Sequence, residues 1–135
     1  MRFAGYAAVF GRTDRGGDVV RPGAFARTLE RGAGEVPLLL QHQPGRPVGT
    51  IEYLREDKRG LRVIARLSGG PAGLEAAELL RSGKAAGLSF GYLVRKASGS
   101  APRALEDVEL LEVSLVRMPM QPKARVHAVE GGPSG

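Results

Sequence analysis

Apolar and polar residues alternate along most of this chain, and a period of two marks strands. The alternation is cleanest at Leu61–Leu67, where Leu61, Val63, Ala65 and Leu67 are interleaved with Arg62, Ile64 and Arg66. Val48–Leu54 precedes it across the charged loop Arg55-Glu56-Asp57-Lys58-Arg59-Gly60, and the pair reads as a hairpin. Arg2–Phe10, rich in small and aromatic residues, reads as a first strand, followed by a polar loop over Gly11–Gly17. Val36–Gln41 reads as a short buried strand that delivers His42 to a turn-rich loop, Gln43–Pro47. Leu88, Phe90, Tyr92 and Val94 alternate with Ser89, Gly91, Leu93 and Arg95, and Ala97–Ala104 is a loop. Leu105–Met118 is long and extended, with Leu111, Val113 and Leu115 on one face and Leu110, Glu112, Ser114 and Val116 on the other. Pro119 and Pro122 end it.

Two segments carry helical signals instead. Pro22–Arg31 begins with proline in its first turn, places Phe25 and Leu29 one turn apart, and stops at Gly32. Pro71–Arg81 is dominated by Ala, Leu and Glu, and Gly83 suits its C-terminal cap. About six strands mostly follow one another directly, which favours a mainly β (α+β) fold over a doubly wound parallel sheet. The expected form is a small, mostly antiparallel sheet or β-barrel with peripheral helices. Residues 1–126 are expected to form a single domain. Residues 127–135 are expected to be a disordered tail, because Val129–Gly135 has almost nothing to bury.

Composition narrows the chemistry. A chain of 135 residues is long enough for one core and short for two. No apolar run is long enough to span a bilayer and no secretory leader is expected, so no membrane partner is expected. The absence of cysteine excludes thiol chemistry and fits a cytoplasmic location. With only two histidines, His42 and His127, a histidine-built metal site has no basis, and no cofactor is expected. The net charge of +6 invites a polyanionic partner. Yet the basic residues form no run, and three Tyr and four Phe offer few stacking platforms, so direct nucleic-acid binding is not expected.

Gly87-Leu88-Ser89-Phe90-Gly91-Tyr92 is the stretch with catalytic potential. The flanking glycines present no side chains beside Ser89, so a ligand or another backbone can approach it. On this hexapeptide alone the plainer reading is a structural serine, because a nucleophile needs a base and a group to orient it. His42 stands at a strand end, where catalytic groups concentrate, whereas His127 stands in the tail. Glu112 is a carboxylate among apolar neighbours, a place that demands a partner or a cleft. Glu106, Asp107 and Glu109 are alternatives for the same role. Arg117, Lys123 and Arg125 are candidate stabilisers of a developing oxyanion, beside backbone amides.

Five segments in order resemble the prohead (capsid maturation) proteases of tailed bacteriophages. Arg21-Pro22-Gly23-Ala24-Phe25 is similar to that family's Pro-Gly-Ala-Phe motif, and Val36-Pro37-Leu38-Leu39-Leu40-Gln41-His42 to its histidine motif. Pro47-Val48-Gly49-Thr50-Ile51, Gly87–Tyr92 and Leu110–Val116 followed by Pro119 resemble its following strand, its serine motif and its C-terminal motif. The resemblance implies an assemblin-like fold, related to the herpesvirus proteases. It implies a serine endopeptidase with Ser89 as nucleophile, His42 as general base and Glu112 as third member, where the herpesvirus relatives use a second histidine. The implied substrates are the major capsid and scaffold proteins of an immature shell in the host cytoplasm, and the protease itself, with a homo-oligomer possible. A non-enzymatic capsid-binding scaffold module with a degenerate site is the alternative. Two departures stand out: Gln43 replaces an acidic residue that often follows the histidine, and Met120-Gln121 replaces a small residue and asparagine after the proline.

Overall fold

The computed structural model describes residues 1–130. Its strands are β1 (Arg2–Val9), β2 (Asp18–Val20), β3 (Leu38–Leu40), β4 (Gln43–Glu56), β5 (Gly60–Leu67), β6 (Gly87–Ser98), β7 (Arg103–Val116) and β8 (Val126–Glu130). Helix α1 (Ala26–Leu29), one 3₁₀ turn (Ala33–Glu35) and helix α2 (Pro71–Ser82) complete the described chain. The strands form one sheet in the order β2-β7-β3-β4-β5-β1-β8, with β6 pairing β7 off that path. Most pairs are antiparallel, and only β2 and β3 run parallel to β7. No described helix is long and apolar enough to cross a membrane.

The fold is thus mainly β with few helices, as the alternation implied, but the sheet is not closed into a barrel. The start of β6 approaches the stretch before β8 through a Gly87–Arg125 bridge and the bonds Leu88 N–H to Ala124 O and Val126 N–H to Ala86 O, both 2.9 Å. The pairing stops there. Beyond Ser89, β6 follows β7 outward as a long hairpin, while β8 turns to pair with β1.

The core gathers one face of most strands. Phe3, Leu38, Leu61, Leu88, Leu105 and Leu115 are fully buried, together with Phe25 from the approach to α1. Phe25 meets Phe90 edge to face at 5.2 Å between centroids, a favoured aromatic geometry. α2 buries Gly73, Ala76, Ala77 and Leu80, and Gly83 ends it at φ 73, the left-handed cap expected of a glycine.

Three local expectations are corrected. The helix expected over Pro22–Arg31 shrinks to four residues. Gly23 at φ 91 leaves the helical region, and the Glu56 carboxylate accepts the Gly23 and Phe25 N–H groups at 2.6 and 3.0 Å, which stabilises a turn instead. The loop expected at Gln43–Pro47 belongs to β4, with 44–46 bulging between the pairs Leu40–Gln43 and Leu39–Pro47. The tail expected over residues 127–135 is strand in its first part: Val126–Glu130 adds to the free edge of β1, with Phe3 opposite Val129 and Ala4 opposite Ala128. Edge pairing satisfies backbone groups without needing a buried side chain, which is why hydropathy missed it. Residues 131–135 of that expected tail lie outside the described residues.

Candidate active site

The site is assembled on three neighbouring strands, β3, β7 and β6. Ser89 on β6 lies opposite Ser114 on β7, and Gly91 lies opposite Glu112. Residues two apart on a strand share a face, as do directly opposed pairs. Ser89, Gly91, Glu112 and Ser114 therefore occupy one patch of the sheet.

The two glycines make room for protein rather than for open ground. A Cβ on Gly91 would stand 3.1 Å from the Glu112 Cγ and Cδ, and one on Gly87 would stand 2.6 Å from the Pro119 ring. Gly91 thus lets the Glu112 side chain lie flat over β6.

His42 reaches this patch from the tip of the β3–β4 hairpin. Leu40 pairs with Gln43, leaving Gln41 and His42 as a two-residue turn with φ 52 and 60. Both central residues at positive φ is the type I′ arrangement, which normally selects Asn-Gly. Neither residue here is of that kind, and such strain is typically worth roughly 1–3 kcal/mol per residue. Hydrogen bonds to the β7 segment hold the turn: Gln41 N–H to Leu115 O at 3.0 Å, Arg117 N–H to the Gln41 Oε1 at 2.9 Å, and His42 N–H to the Ser114 Oγ at 3.1 Å. The missing Asn-Gly signal explains why the turn was expected later, over the Pro- and Gly-bearing stretch after it.

The His42 Nδ1 lies 2.6 Å from Glu112 Oε1 and 3.1 Å from Oε2. Nδ1 therefore carries a proton and donates it, leaving Nε2 as the free base. This hydrogen bond, aided by the carboxylate charge, raises the His42 pKa above the usual imidazole value, and burial opposes the rise. Glu112 is almost wholly buried, whereas the His42 side chain is 44% exposed, so the pair sits at the surface end of a buried carboxylate.

Ser114 completes the arrangement and was not singled out in the sequence. It is fully buried, and its hydroxyl accepts the His42 N–H and donates to the Glu112 carboxylate at 3.0–3.1 Å. A serine two residues from a glutamate on a buried strand was the available signal. Ser114→Ala is expected to lower the unfolding free energy by about 1–3 kcal/mol, because a buried carboxylate and a strained turn each lose a partner. Urea denaturation checks this; a midpoint equal to wild type would show the hydroxyl to be dispensable.

Ser89 and His42 line one cleft of about 120 Å³ with Asp14, Gly16, Asp18, Phe90, Tyr92 and Met120. No hydrogen bond joins Ser89 to His42 among the described residues. Asp18 is held by Arg103 through two bonds of 2.9 Å and by the Tyr92 hydroxyl at 3.2 Å. Arg103 keeps the Asp18 carboxyl below the usual range, while burial, and then Asp18, push the Tyr92 phenol up. These cleft walls were invisible in sequence because they come from the Gly11–Gly17 loop and β2, a strand too short to show a pattern.

The alternative acids point elsewhere. Glu109 pairs with Arg31 and Arg95, Asp107 with Arg27, and Glu106 with Lys96. His127 packs near Tyr6 and contacts Arg62, and it lines a depression separate from the cleft that holds Ser89. Arg117, Lys123 and Arg125 are not among the cleft-lining residues; the last two line a neighbouring depression.

Known proteins share both sequence and architecture with this chain. It is 33% identical over 136 residues to the prohead protease of Enterobacteria phage HK97, covering 95% of this chain and 60% of that protein. This chain thus spans less than two thirds of that relative. Among solved structures, the bacteriophage T4 capsid assembly protease matches with a TM-score of 0.71 and 15% identity, over 87% of this chain and 82% of that one. KSHV protease, solved with a hexapeptide phosphonate inhibitor, matches with a TM-score of 0.60 and 16% identity, over 89% and 60%. At these identities the structural matches speak for the fold. The family assignment comes from the sequence itself: the chain belongs to the caudovirus prohead serine proteases, whose family model matches residues 1–132.

Proposed function

We propose that this chain is a serine endopeptidase that processes capsid and scaffold proteins inside an immature phage-like shell in the host cytoplasm, and that it also cleaves itself. The observation that carries the reading is the His42 Nδ1–Glu112 contact of 2.6 Å at the mouth of the cleft that holds Ser89. Family membership supports it, as does the likeness to the HK97 prohead protease.

The proposed chemistry is acyl transfer. His42 Nε2 removes the Ser89 hydroxyl proton as Oγ attacks the scissile carbonyl, then delivers that proton to the leaving amine. Water repeats the cycle on the acyl-enzyme. Glu112 holds the imidazole in the required tautomer and stabilises its charged form. In free enzymes the nucleophile–base contact is often long and tightens only with substrate bound. A closed, assemblin-like barrel is the family geometry, and in this chain the approach of β6 to residues 124–126 supports it only along that short seam. The test is covalent labelling: a fluorophosphonate should modify Ser89 and no other serine, read by peptide mapping, and absence of label there would remove the nucleophile.

The raised His42 pKa sets the pH profile. The base works only when neutral, so kcat/KM should climb with pH through a pKa above the ordinary value of about 6.5. Glu112→Gln removes the carboxylate that raises it. The acid limb should then move to lower pH, while the maximal rate falls roughly 10²–10⁴-fold. Rates across pH on a peptide cleaved by the wild type measure both effects. A limb that stays in place would detach Glu112 from the base.

A further inference from the structure

Next to the cleft, two adjoining depressions share Pro122 and Lys123. The first, about 340 Å³, adds Val9, Arg12, Thr13 and Gln121; the second, about 470 Å³, adds Tyr6, Arg59 and Arg125 among others. No carboxylate lines either. Arg12, Arg59, Lys123 and Arg125 have no ion-pair partner among the described residues; Arg55 and Lys84 have none either, but these four come together in the two depressions. Two of the four are fixed without losing their charge: Arg125 Nε donates to Pro122 O at 2.8 Å, and the Arg59 guanidinium stands 5.2 Å from the Tyr6 ring centroid.

The floor of this groove is rigid. Gln121 is buried, and its side-chain amide accepts the Val9 N–H at 2.7 Å and donates to Val9 O at 3.0 Å. Gln121 thereby clamps the 119–125 loop to β1, a structural task for the residue that departs from the family's asparagine. Met120, one residue earlier, lines the cleft with Ser89 and His42. Chain neighbours border the two: Asp14 and Met120 line the cleft, and Thr13 and Gln121 line the first depression. An extended peptide at about 3.3 Å per residue spans such a separation within a few residues.

We propose that this groove binds an acidic stretch of polypeptide flanking the bond to be cut. Unpaired, preorganised cations without a facing carboxylate are complementary to Asp and Glu side chains. Single-stranded nucleic acid is the less suited polyanion, because the two rings in the groove, Tyr6 and His127, pack on each other at 5.9 Å between centroids and Tyr6 also carries Arg59, which leaves little open ring face for bases to stack on. Calling the peptide a substrate rests on the protease reading; the binding itself does not.

The test is fluorescence anisotropy with the Ser89→Ala protein, which leaves peptides intact. The probes are a labelled glutamate-rich peptide, its glutamine counterpart of equal length and an oligothymidylate. The glutamate peptide is expected to bind at least about 10-fold more tightly than the glutamine peptide, with affinity falling as salt rises. Arg12→Glu with Lys123→Glu should abolish that preference. Arg55→Glu with Lys84→Glu, an equal change of net charge elsewhere on the surface, should preserve it. Equal binding of the two peptides, or equal loss in both double variants, would overturn the proposal. So would tighter binding of the oligothymidylate that is lost with Arg12 and Lys123. Fluorophosphonate labelling of Ser89 on the wild-type chain is read in parallel, so a failed groove and a failed nucleophile give different results.

Discussion

Ser89→Ala is expected to abolish peptide hydrolysis and leave the fold intact. Ser89 is a mostly buried residue that lines the cleft, and its hydroxyl makes no hydrogen bond among the described residues. No buried side-chain oxygen there lacks a partner, so this hydroxyl is open to the cleft, and removing it strands no partner. The backbone it sits on is fixed independently, by pairing with Ser114 on one side and by the Leu88 N–H to Ala124 O bond next to it on the other. A lost nucleophile costs on the order of 10⁶ in rate. Hydrolysis of a capsid-derived peptide and intact-mass analysis of both proteins after storage at high concentration measure this. The wild-type chain should shorten on storage and the variant should not. A variant that keeps more than about one percent of wild-type activity, against that expected factor, would remove Ser89 from the mechanism.

His42→Ala should cost as much, because nucleophile and base act as one unit and removing either disables both. The turn itself is not relieved by the change, since alanine and histidine both carry a Cβ and both are strained at φ 60. The change does take from the buried Glu112 carboxylate its partner at 2.6 Å, so a loss of activity counts as chemical when circular dichroism shows the variant folded. His127→Ala is the matched control: its ring lies beside Tyr6 and Arg62 and touches no residue of the cleft. It should leave the rate within about twofold, well short of the loss tied to the base. Rates reversed between the two variants would move the base to His127.

The three proposed site residues stood out in the sequence because each broke its local pattern. Ser89 stood between glycines, His42 at the end of an apolar run, and Glu112 among aliphatic residues. What the pattern withheld was how they meet. Period-two alternation assigns a residue to a face of its own strand and says nothing about which strand lies alongside. Here β3 joins β7 in parallel across some seventy residues of chain, with Leu38 opposite Val113. The hairpin tip was misplaced because the chain forgoes the glycine that such a turn favours and stabilises it through distant contacts with Ser114, Leu115 and Arg117. The charge distribution was opaque for the same reason. Arg12, Arg59, Lys123 and Arg125 are scattered in sequence and meet only because β1, the start of β5 and the segment before β8 are neighbours.

The strand β7 carries Glu112 and Ser114 and borders β2, β3 and β6 at once. Among the described elements it is the last long one in chain order. A growing chain that has emerged only as far as Ser98 already holds Ser89 and His42, but it has neither the acid nor the strand that brings β3 and β6 together. On the proposed mechanism such a chain would have no working site. The order of synthesis would then keep the proposed peptidase silent until nearly the whole described sheet has formed, a built-in delay for an enzyme made beside its own substrates.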